Sequence, residues 1–161
     1  MARVMNVARF PGGGIPNIQS MEYLAAEAIV KGSVLIDDGN GQVKLAATQP
    51  TSVVVGVALE DIATKPGFNM SHENLVTERT GRVAEVSVAI ADLNTVWSAA
   101  AKSGTAIAQT HVGEKHDIVL VSGVWQVDIS ATGAVGCVVV DVDIDEKIVF
   151  FKWLSTVILT T

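Results

Sequence analysis

At 161 residues, 49% apolar and 17% charged, the chain is long enough for one domain with a hydrophobic core and lies well outside the composition of disordered proteins. Its formal net charge is −6 and its 11 lysines and arginines are scattered singly, so no basic stripe neutralises a phosphate backbone and nucleic acid is not an expected partner. No stretch approaches the roughly 18 apolar residues that span a bilayer, and the first ten residues lack an unbroken export core; no membrane partner and synthesis in a cytoplasm are expected.

Residues 1–20 carry apolar side chains without a period and are broken by Pro11-Gly12-Gly13-Gly14-Ile15-Pro16. Proline there lacks a donor and glycine gains nothing from regular structure, so an extended N-terminal arm is predicted. Val4, Val7, Arg9, Phe10, Ile15 and Ile18 are its candidate partner-binding residues, because apolar side chains on an unpaired arm need something to cover them. That cover is either the protein's own domain or a neighbour. A single β-rich domain is predicted over 21–161.

From Tyr23 the pattern becomes strand-like. Ser33 to Ile36 and Gln42 to Leu45 flank Asp37-Asp38-Gly39-Asn40-Gly41, whose residues tolerate the positive φ of a hairpin turn. Val53 to Leu59 is a β-branched run too short for a typical helix, and Arg82 to Ile90 alternates as a strand does. One helix is predicted at about 93–103: Asp92 or Asn94 can cap it, Ala99-Ala100-Ala101 favours it, Ser103-Gly104 ends it, and Leu93, Val96, Trp97, Ala100 and Ala101 form a stripe. Ile118 to Val121 and Val124 to Ile129 pair across Ser122-Gly123, and Val138 to Ile144 pairs with Ile148 to Leu154 across Asp145-Glu146-Lys147, with Val157 to Leu159 as a final short strand. Short, evenly spaced strands with one helix predict a mainly β fold, a small barrel or sandwich.

Residues that could carry chemistry have bland readings. Cys137 sits in an apolar run and reads as a buried small hydrophobe. Asp141, Asp143 and Asp145 are spaced like the first ligands of a calcium loop, but the glycine such a loop needs at its sixth position is Glu146 and the acid at its twelfth is Lys152, so a solvated strand face is expected. His72, His111 and His116 lack H-E-x-x-H spacing and read as exposed loop residues. Gly12-Gly13-Gly14 has no clear strand before it and no Lys-Ser or Lys-Thr after it. Trp97, Trp125 and Trp153 read as core or interface. No catalytic residue, cofactor or metal is therefore expected, and the chain is read as not an enzyme.

The order Glu27-Ala28-Ile29-Val30-Lys31-Gly32-Ser33-Val34-Leu35-Ile36-Asp37-Asp38-Gly39-Asn40-Gly41-Gln42-Val43-Lys44, followed by Val53-Val54-Val55-Gly56-Val57-Ala58, resembles the start of tailed-phage capsid decoration (cement, or head stabilisation) proteins. Gly113 to Asp128, with its Trp125-Gln126-Val127-Asp128 strand, also resembles them. The resemblance implies a barrel or β-tulip fold and a homo-oligomer, trimer or dimer, attached to the major capsid protein on the virion surface, with an arm along the capsid. It implies no catalytic residues. The alternatives are a small-ligand or carbohydrate binding β module and a phage tail or head-completion subunit. Removal of divalent metal is expected to leave the melting temperature unchanged; a fall of several degrees on chelation would overturn the reading of Asp141, Asp143 and Asp145.

Overall fold

Two tight turns set the architecture of the second half of the chain. At Ser122 and Gly123 the backbone is left-handed at both positions, with φ of 50° and 80°, the geometry whose twist matches that of paired strands. The turn joins strands β8 (Lys115–Val121) and β9 (Val124–Asp128), and Asp145 to Lys147 joins β10 (Cys137–Asp143) to β11 (Ile148–Trp153). The computed structural model describes residues 4–9, 16–24, 27–62, 85–102, 104–130 and 135–159.

These two hairpins join β1 (Asn6–Arg9) and β7 (Val96–Ala101) in a six-stranded sheet of order β1-β7-β11-β10-β8-β9. The sheet closes on itself, because β9 also pairs in parallel with β7, Ala100 against Gln126 and Ala101 against Val127. Closure turns alternating side chains inward, and Trp97, Ile118, Val127, Val149, Phe151 and Trp153 are all at most 1% exposed. Phe151 and Trp153 meet edge to face at 5.6 Å and Trp97 meets Trp153 at 6.3 Å, so three large rings dominate the barrel interior.

Residues 96–101 form a strand where a helix was predicted, and the physical cause is visible on both sides of it. Asp92 behaves like a helix cap, accepting the N–H groups of Asn94 and Thr95 and the Thr95 hydroxyl. The chain nevertheless leaves this turn extended, since β7 receives β11 on one edge and β1 and β9 in succession on the other. The alanine run favours helix by a few tenths of a kcal/mol per residue. Burying Trp97 and completing the barrel outweighs that preference.

The second sheet is antiparallel, of order β2-β6-β5-β3-β4, with β2 at Ile18–Glu22, β3 at Val34–Asp37, β4 at Val43–Leu45, β5 at Val54–Ala58 and β6 at Glu85–Ile90. A parallel bridge from Tyr23 to Val43 draws its two ends together, so it curls over a core of Tyr23, Ile29, Leu35, Val43, Val55, Val86 and Val88. Its other face, through Val34, Val57 and Ala89, joins the barrel core. Gly56 makes the β5–β6 contact possible, because a Cβ there would collide with the Ala89 carbonyl oxygen. The fold is thus mainly β, with two sheets in a barrel-like arrangement.

The described parts of the segment expected to be an arm are strands of these sheets. β1 pairs with β7, and Met5, just before it, is 2% exposed within the main core. β2 pairs with β6 over its whole length. β9 covers only the far end of β7, which leaves a length of backbone edge that β1 satisfies. Truncating Met5→Ala is expected to cost about 2–5 kcal/mol in urea unfolding, and deletion of residues 1–9 to cost at least as much. Unchanged stability in both would show that this segment packs elsewhere.

Candidate functional site

Among the described residues, the side chains singled out for chemistry lie against structural neighbours. Asp128 ends β9 beside the parallel seam. Its carboxylate accepts from Lys102 Nζ on one oxygen and from the Ser130 hydroxyl and N–H on the other. Burial pushes this carboxyl up, but the hydrogen bonds from Lys102 and Ser130 outweigh it and hold the pKa below the ordinary 3.8. With the Lys102 N–H on the Val127 carbonyl at 2.9 Å, the group fastens β7 to β9.

The histidines depart from the expected exposed loop positions. His116 lies on β8 and is 3% exposed, while His111 ends a short 3-10 helix, Gln109–His111, and stacks edge-on against it at 5.8 Å. Among the described residues neither ring nitrogen of His116 has a hydrogen-bond partner, and Nε2 stands 3.4 Å from Glu114 Oε2. Its burial follows from strand alternation, His116 sharing a face with Ile118, a signal that the turn-like spacing of the two histidines obscures. His72 lies outside the described residues.

Cys137 opens β10 opposite His116 and is fully buried. Burial drives its thiol pKa up, and Sγ donates to the His116 carbonyl at 3.4 Å, so the group is a packed thiol with no thiolate character. The aspartate row caps local backbone: Asp141 accepts the Val142 N–H and Asp143 the Glu146 N–H, which shapes the turn into β11. Among the described residues no three of His, Cys, Asp and Glu converge as metal ligands. Trp97, Trp125 and Trp153 are at most 4% exposed, which leaves no indole face for a stacked sugar or base.

Several large apolar side chains are exposed. Of the six residues singled out in 1–20, Val4 and Ile18 are exposed and Val7 packs partly against the main core. Arg9 contributes backbone to β1; Phe10 and Ile15 lie outside the described residues. The fold does not gather these six, since Val4, Val7 and Arg9 belong with the barrel and Ile18 with the second sheet. Val4 instead lies against Gly32, close along the chain to exposed Val30, which sequence reading did not single out.

Val53 is the other unexpected feature. It is exposed yet left-handed, at φ 52°, a conformation that costs a β-branched residue of order 1–3 kcal/mol. Its carbonyl accepts the Asp37 N–H, and next to it Val54 is held by the Val157 carbonyl and the N–H of exposed Leu159. Comparison with protein-family models and with curated proteins finds no match to this chain.

Because Asp128 has a lowered pKa in the folded state, its contribution is complete above the ordinary carboxyl value of 3.8 and is lost as pH falls through the lower folded value. Asp128→Asn should therefore destabilise by about 1–3 kcal/mol at neutral pH, with the gap to the parent narrowing at pH 3. Urea titrations at the two pH values check this; an equal gap at both would refute it.

Proposed function

We propose that this protein is a structural component of a phage particle, a decoration or cement protein that binds the outer surface of an assembled capsid through the major capsid protein and strengthens the shell. The observation that carries the reading is a folded β scaffold that leaves large apolar side chains exposed, Val4, Ile18, Val30, Val53 and Leu159 among them, while Asp128 and Asp143 hold a strand seam and a turn together. Strain kept at an exposed valine favours a contact made outside the chain, since glycine would relieve it at no cost to the core. The resemblance of its segment order to that of decoration proteins points the same way. Burial of all three tryptophans disfavours a carbohydrate module, whose sugar-stacking platform they would supply.

A protein that binds neighbouring subunits of a shell, and not the free subunits, stabilises the assembled state by mass action, and self-association into a homo-oligomer multiplies modest contacts. The protein should therefore be dispensable for building the lattice and needed for its resistance to heat and internal pressure. Particles stripped of the protein should release their genomes at a lower temperature and regain resistance when it is added back. Val53→Gly should melt higher, by about 1 kcal/mol of stability, and bind such particles less well, separating attachment from folding. Equal release temperatures with no binding to shells would sink the proposal.

A further inference from the structure

We propose that Asn40 is a site of spontaneous covalent modification, the Gly41 backbone nitrogen attacking the Asn40 carboxamide carbon within the folded turn between β3 and β4. The proposal is independent of the capsid reading. Asn40 and Gly41 are both exposed, and a Cβ added to Gly41 would have nothing within 4 Å, so the attacking nitrogen lies in an uncrowded setting.

The turn's hydrogen bonds leave this nitrogen free. Asp38 donates its N–H to the Gln42 carbonyl at 2.9 Å, and its Oδ1 accepts the N–H groups of Asn40 at 2.8 Å and Gln42 at 3.0 Å. The Gly41 N–H between them has no partner among the described residues. Asn40 Nδ2 donates to Asp38 Oδ2 at 3.2 Å, which keeps the carboxamide over the turn. The other described asparagines are followed by β-branched residues, Val7, Ile18 and Thr95, whose side chains crowd the attacking nitrogen, and two of those nitrogens are engaged, the Val7 N–H by Asn6 Oδ1 and the Thr95 N–H by Asp92 Oδ1.

In the reaction the Gly41 nitrogen gives its proton to hydroxide or water and bonds to Asn40 Cγ, the Cγ–Nδ2 bond breaks, and ammonia leaves. Water then opens the five-membered imide at either carbonyl, giving an aspartyl or an isoaspartyl residue at position 40. One water is consumed for one ammonia released, and nothing is oxidised or reduced. The product adds a negative charge beside Asp37 and Asp38 to a chain already at −6. The isoaspartyl form also lengthens the backbone by a methylene, which pulls apart the hydrogen bonds centred on Asp38 and loosens the short β4 strand.

The full-length protein is held folded at 37 °C at pH 6 and pH 9, with a parallel sample in urea, and digested with trypsin. The peptide from Gly32 to Lys44 should gain the mass difference between hydroxyl and amino at position 40, in two chromatographic forms, several-fold faster at the higher pH. The rate in the folded protein should be within a few-fold of that in urea, and Asn6, Asn17 and Asn94 should stay intact in the folded sample. Asn40→Gln, which would need a six-membered ring, should leave the peptide unmodified. An unmodified peptide in the folded protein alongside modification in urea would overturn the proposal, as would the same mass gain in Asn40→Gln.

Discussion

The parallel pairing of β7 with β9 is the contact on which the barrel depends. Every other strand pair in the six-stranded sheet is antiparallel, and without this one the sheet would be open, with Trp97, Phe151 and Trp153 on the face of an unclosed sheet. The seam itself is short, two residue pairs reinforced by the Lys102–Asp128 ion pair and by Ser130 on the same carboxylate. A carboxylate so placed is useful because its partners compensate its partial burial, and it holds both strand ends at once.

Closure has consequences along the chain. Since β9 reaches only the end of β7, the rest of that edge is available, and β1 occupies it, carrying Met5 into the core and Val4 against Gly32. The second sheet is tied in by Val34, Val57 and Ala89 beneath the barrel and by hydrogen bonds at its rim, from Leu120 to Thr48 and between Val54 and the final turn. Segments distant in sequence therefore share one core.

The described side chains singled out for chemistry serve the fold. Its cysteine and one histidine are buried across a strand pair, its aspartates close turns, and its tryptophans fill the interior. The surface retains apolar side chains in the turns and at strand entries, including one valine held against its backbone preference. The proposed role in binding another protein would use these exposed side chains.

Much of the β architecture was legible in the residues. The hairpins of 33–45, 118–129 and 138–154 follow from two-residue periodicity and from turn residues that accept positive φ, both local properties of the chain. Strand 54–58 follows from its β-branched run. The candidate surface was only partly legible: Val4 and Ile18 were found through their place in a Pro-Gly-broken segment, whereas the exposure of Val53 depends on a backbone angle no residue type announces. Only the tertiary structure decided that 96–101 is a strand, that the residues around Met5 join the core, and that His116 is buried. In each case the local signals, an alanine run with a capping aspartate, glycines beside prolines, a histidine near a turn, were outweighed by an open edge or a cavity created by strands far away in sequence. Such edges and cavities exist only once the sheet has closed.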